Sequence, residues 1–145
     1  MQLPEYITVD EVKRVCQTLK IRNWTALTEA KVNPEEAALI LAEMNHDGML
    51  VTVERFRRGL EVELEHGIRF QDANVTNNHP ILTGKSVLAH FKETLDYYER
   101  LEVAELEGDI LKATIAGNAQ KIAALYKKLI AAKIELGQAE IEQLR

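Results

Sequence analysis

Hydrophobic residues along this chain recur at three- and four-residue steps almost throughout, the period of an amphipathic helix. Val9, Val12, Val15, Cys16 and Leu19 set that spacing in the first stretch, and Thr8 with Glu11 forms a capping box at its start, predicting a helix over 8–20. Asn33, Pro34 and Glu36 form a second start signal: cap, first-turn proline, and an acid three residues on. The helix they open runs to a turn cluster at Asn45-His46-Asp47-Gly48. Between the two, a short helix near Trp24 to Lys31 is expected. A third helix spans about Thr52 to His66, with Gly67 as its terminating glycine. Residues 67–84 lose the period at Asn74, Asn77, Asn78, Pro80 and Gly84 and read as a long irregular connection, a kind of loop that is often functional.

From Ser86 the period returns. One long helix is expected to Ile115, with a bend possible at Gly108. A break at Ala116-Gly117-Asn118 then precedes a last helix from about Ala119 to Leu136 or beyond. Its stripe, Ile122, Leu125, Leu129, Ala132 and Leu136, reads either as packing inside the domain or as pairing with a second copy. The fold class is therefore all-α: a bundle of about five helices with a long C-terminal helical hairpin. The expected organisation is a single helical domain over 1–145, with residues 102–145 as an oligomerisation element.

Composition narrows the partners. The chain has 145 residues, 46% hydrophobic and 28% charged, enough to bury a core without cross-links. Eighteen basic and 23 acidic residues give a formal charge of −5, which argues against nucleic acid as the partner. The largest basic cluster, Arg55, Arg57 and Arg58, is small. No apolar run approaches the roughly 18–20 residues that span a bilayer. The stretch MQLPEYITVDEVKR shows no secretory signal, and the single cysteine, Cys16, fits a reducing compartment; the expected location is cytoplasmic.

Candidate chemistry sits on two helices. On the third, Val53, Phe56, Leu60 and Leu64 make the apolar face; Glu63 falls within that arc and His66 on its shoulder. On the next, Val87, Leu88, Phe91, Leu95, Tyr98 and Leu101 make the face; His90 falls inside it and Glu93 at its edge, while Asp96 and Glu99 fall on the polar side. A carboxylate and an imidazole three residues apart can chelate one ion, and charged groups aimed at an interior must pair, neutralise or bind a cation. Helical bundles with carboxylate-bridged metals use Glu-x-x-His pairs in this way. Glu63, His66, His90 and Glu93 are thus candidate ligands for iron, manganese or zinc, in the style of a ferritin-like site. The same pairs could instead be structural hydrogen bonds or an acid–base couple. Tyr97 lies one turn beyond Glu93, and His79, before Pro80, reads as a surface residue.

A second candidate is the turn after the second helix. Glu43, Asn45, Asp47, Gly48 and Glu54 have the spacing of an EF-hand calcium loop, with Glu43 at the first position in place of Asp. The alternative there is a plain helix–turn–helix connection. Gly84-Lys85 lacks the earlier glycine of a phosphate-binding loop, and no nucleophile–base pair or dinucleotide fingerprint is visible, so the chain reads as a non-enzyme. Possible partners are a second copy or another protein.

The blocks Phe56-Arg-Arg-Gly59-Leu-Glu-Val-Glu63-Leu-Glu-His66-Gly67, Asn74-Val-Thr76, Thr83-Gly84-Lys85, Leu88-Ala-His90-Phe-Lys-Glu93 and Asp96-Tyr97-Tyr98 resemble a bacterial family of small uncharacterised proteins. The resemblance covers about residues 53–101, leaving the N- and C-terminal helices outside. It implies acidic residues after Asn-Val-Thr, where this chain has Asn77 and Asn78. It implies no activity.

Overall fold

The structure, a computed structural model, describes residue 4 and residues 6–145; the first residues of the stretch searched for a secretory signal lie outside these. Among the described residues all regular elements are helical. They are α1 (Val9–Leu19), α2 (Pro34–Met44), α3 (Val53–Arg69), α4 (Pro80–Glu93), α5 (Tyr97–Ile115) and α6 (Ala119–Gln143), with 3-10 turns at Trp24–Ala26 and Gln71–Ala73. The chain divides into two compact units, residues 1–89 and 90–145.

In the first unit the helix ends follow the capping signals. The Thr8 hydroxyl accepts the Glu11 N–H at 3.2 Å, and Thr52 does the same for Arg55. At the start of α2, Glu36 reaches back to accept the Asn33 N–H at 3.1 Å. Glu36 also accepts three bonds from Arg22: the backbone N–H at 2.9 Å, Nε at 2.9 Å and a terminal guanidinium nitrogen at 2.6 Å. One buried carboxylate therefore caps α2 and ties it to the segment leaving α1. The core is built on Val12, Trp24, Ile40, Phe56, Leu60 and Leu64. Within this unit α4 lies close on α2: a Cβ added at Gly84 would come within 2.7 Å of Met44 Sδ.

Two expected boundaries move. Helix α3 does not stop at Gly67 but continues to Arg69. Gly67 serves a different purpose there, because a Cβ would overlap the side-chain oxygen of Asn78. The connection after it is shorter than the pattern suggested, since Gln71–Ala73 forms a turn of 3-10 helix and α4 already begins at Pro80. Proline is well placed at a first helical turn, where its missing N–H has no intrahelical partner to lose.

The expected long helix from Ser86 to Ile115 is two helices. Residues 94–96 break it. Asp96, with no exposed surface, accepts Arg100 Nε at 3.0 Å and a terminal guanidinium nitrogen at 2.7 Å, and it also takes the Thr94 hydroxyl. A buried bidentate carboxylate outweighs the modest helix propensity of a Thr-Leu-Asp stretch.

The second unit contains an antiparallel hairpin of α5 and α6. Arg100 pairs with Glu140 at 2.8 Å and Lys133 with Glu107 at 3.1 Å, which sets the register. The turn falls where the sequence placed it. Gly117 takes φ +64°, and Asn118 caps α6 by accepting the Lys121 N–H at 3.0 Å.

Candidate functional site

The four proposed metal ligands divide between the units, Glu63 and His66 in the first, His90 and Glu93 in the second. The helical wheels aimed all four inward. In the structure His66 and Glu93 are exposed, and Glu63 and His90 are half-buried. His90 stacks on Tyr97, with ring centroids 3.9 Å apart and planes 10° from parallel. Tyr98 meets His90 edge-on at 6.0 Å and Phe91 at 5.5 Å, making an aromatic cluster in the second unit. Asp96 and Glu99, placed by the wheel on the polar side, are buried. The wheel assumed one continuous helix, and the interruption at 94–96 changes the angular phase of every residue after it. Among the described residues no group of three or more His, Cys, Asp and Glu side chains is placed to hold a metal ion.

At the turn after α2, Asn45 is occupied with the backbone. Its side chain accepts the Met49 N–H at 2.8 Å and donates to the Met49 carbonyl at 2.7 Å. Glu54 lies in the first turn of α3 and holds Arg57 through both oxygens, at 2.6 and 2.9 Å. Its carboxyl is lowered by that hydrogen-bonded guanidinium. Glu43 and Asp47 are exposed. This geometry is that of a helix–turn–helix connection closed by an asparagine.

The sequence reading missed the buried polar groups. His79, expected at the surface, is buried. Its Nδ1 accepts the N–H groups of Ile81 and Leu82 at 3.2 and 3.4 Å, so the imidazole caps the start of α4. Burial pushes its pKa down, partly offset by the charge of Glu11. For Glu36, burial pushes the carboxyl up, but the Arg22 guanidinium and the backbone donors outweigh it and hold the group below its ordinary value. For Asp96 too, burial raises, while Arg100 and Thr94 prevail and lower it. The capping box at Asn33 announced one role of Glu36. Nothing in sequence spacing announces the partner fourteen residues away.

The hairpin carries a different kind of surface. On α6 one apolar stripe is covered: Leu125, Leu129, Ala132 and Ala139 are buried. A second lies well over a quarter-turn away around the same helix. It comprises Ala123, Tyr126, Ile130, Ile134, Gly137 and Ile141, and the four largest of these are 54–57% exposed. Helix α5 repeats the pattern, with Ala104, Gly108, Leu111 and Ile115 on one stripe, Leu111 61% and Ile115 79% exposed. Among the described residues no helix is long and apolar enough to cross a membrane.

The model of one protein family, described as a protein of unknown function (DUF5661), matches residues 12–107. That range takes in most of α1 and all of α2, α3 and α4, more than the block at 53–101 alone, and leaves α6 outside. No curated protein and no solved structure matches the chain.

Proposed function

We propose that this chain, which belongs to the DUF5661 family of proteins of unknown function, is a non-catalytic helical interaction protein that self-associates through its C-terminal helices. One observation carries the reading: α6 is apolar on two sides, and only one side is covered within the chain. A helix packed on a single neighbour needs one apolar stripe, with polar residues opposite it. The outer side chains of α6 offer on the order of 500 Å² per copy, so a pair buries about 1,000 Å², the lower bound for a specific interface. A second copy suits the stripe because a two-fold axis sets the same patch against itself, and apolar faces are self-complementary. The glycines support the same reading. Gly108 and Gly137 both stand mid-helix on outer stripes, and a Cβ at either would meet nothing within 4 Å. Each costs roughly 1 kcal/mol relative to alanine. Among the described residues nothing requires that cost, whereas the close approach of a partner backbone would.

The test is sedimentation of the full chain at tens of micromolar. The expected mass is twice that of one chain, falling to one chain in the Ile130→Glu, Ile134→Glu double variant with its helicity intact. A parent chain that sediments singly overturns the reading. Gly108→Ala adds a second check with opposite signs: a higher melting temperature for the single chain, with weaker association. Unchanged association in that variant removes the glycine argument.

A further inference from the structure

A cavity of about 290 Å³ opens in the first unit between the start of α1, the Trp24–Ala26 turn, the end of α3 and the loop before α4. Thr25, Gln71, Asn74, Asn77 and Asn78 supply its polar wall. Val9, Leu27 and Ile68 supply an apolar patch beside them. Among the described residues no acidic, basic or histidine side chain lines it.

The polar wall is fixed in advance by the fold. Asn74 donates to the Gly67 carbonyl at 3.1 Å and to the Asn78 side-chain oxygen at 2.9 Å. Asn77 donates to the Ile7 carbonyl at 2.7 Å, and Asn78 to the Trp24 carbonyl at 3.4 Å. These bonds orient the amides. Asn77 and Asn78 stand consecutively at φ +49° and +60°, a left-handed backbone that a residue with a Cβ adopts at a cost; asparagine is among the few that tolerate it. Gly67 completes the wall, since a side chain there would displace Asn78. A loop held at this cost, by bonds reaching Ile7, Trp24 and Gly67, lines one space with three asparagines beside Thr25 and Gln71.

We propose that this cavity binds a small neutral polyhydroxylated molecule of monosaccharide size. The described lining disfavours a charged ligand, because an ion brought against it would lose water and meet no counter-charge there. The Asn74 amide hydrogens go to Gly67 and Asn78 and the Thr25 hydroxyl hydrogen to Asn23, so a ligand is met by the Gln71 amide, the second N–H of Asn78 and the Thr25 oxygen as acceptor; a hydroxyl group both donates and accepts, so a polyol can answer both kinds of group. The apolar patch matches the C–H face of a sugar ring. The volume lies at the bottom of the roughly 300–1,000 Å³ range of small-molecule sites, which suits one ring and not a chain.

The experiment is NMR on the full isotopically labelled chain, titrated with D-glucose, D-ribose and myo-inositol, and with D-gluconate as the charged counterpart. The expected result is a saturable shift of the Gln71, Asn74 and Asn78 side-chain amide signals with at least one neutral probe, and much weaker binding of gluconate. Thr25→Val and Gln71→Leu leave the asparagine network intact, and each is expected to weaken binding about three- to tenfold while the backbone spectrum keeps its dispersion. No saturable shift with any of the three neutral probes up to tens of millimolar overturns the proposal. So does gluconate binding as tightly, or affinity unchanged in both variants. The cavity lies wholly within the first unit, so its failure leaves the reading of α6 standing.

Discussion

The first unit and the C-terminal hairpin solve the same problem, orienting helices, by different means. In residues 1–89 the helix ends are held by buried polar groups with particular partners: Glu36 with Arg22 and Asn33, His79 with the first turn of α4, Asn74 with Asn78 and Gly67. A buried polar group has few satisfying arrangements and a high cost outside them, so each one selects a geometry. In the second unit Asp96, buried against Arg100, fixes the start of α5 in the same way, but between α5 and α6 two ion pairs at half-exposed positions set the register and apolar stripes do most of the rest. Apolar contact is non-directional. It can hold two helices together and still leave a second stripe uncommitted. The comparison teaches that directional polar contacts fix the helix ends of the first unit and shape its cavity, while in the hairpin exposed apolar residues gather into continuous stripes.

Three experiments press on that contrast. The largest effect is expected from neighbours on opposite sides of α6. Leu129→Ala, at a buried position, is expected to destabilise the hairpin by about 2–4 kcal/mol in denaturant unfolding. Ile130→Ala, one residue on and 55% exposed, is expected to leave single-chain stability within roughly 0.5 kcal/mol while weakening self-association. Equal losses at both positions would erase the distinction between covered and bare stripes.

Next comes the polar anchor of α2. Glu36→Gln keeps the shape but removes the charge that faces Arg22, at an expected cost of about 2 kcal/mol near neutral pH; the partial exposure of Arg22 keeps the figure below that of a fully buried pair. The Glu36 carboxyl is depressed in the folded chain, so the unfolded state binds its proton more readily. Its contribution is complete above about pH 4.5, its ordinary value, and is lost as pH falls through the lower folded value. Unfolding curves from pH 6 to 3 are expected to fall more steeply for the parent than for Glu36→Gln, and parallel curves would refute the assignment.

The smallest effect belongs to His79. Its folded pKa lies below the ordinary value of 6.5, so the neutral cap stabilises above that pH and the contribution is lost as pH falls through the folded pKa. A decline of about 1 kcal/mol setting in below pH 6.5 is expected, and it should vanish in His79→Asn, which retains an acceptor for the α4 N–H groups. Persistence of the decline in that variant would place its origin elsewhere.

Much of this protein was legible in its sequence, for reasons that are local. Thr8, Asn33 with Pro34, and Thr52 mark helix starts because an orphan N–H needs an acceptor within three residues, and the 3.6-residue period follows from backbone geometry alone. The break at Gly117 and the hairpin beyond it were readable for the same reason. Tertiary structure decided the rest. It broke the helix at 94–96, with Asp96 buried against Arg100, and brought Tyr97 onto the ring of His90. It carried α3 past Gly67 to Arg69 and set Asn78, eleven residues on, in the space a side chain at Gly67 would fill. It drew Asn74, Asn77 and Asn78 from a run of loop residues into one wall of a cavity with Thr25 and Gln71. At the break the partners of Asp96 lie within four residues and only its burial is tertiary, whereas the cavity wall and the place of Gly67 depend on which distant group fills a space or satisfies a buried donor or acceptor. That is a property of three-dimensional proximity, and no periodicity along the chain encodes it.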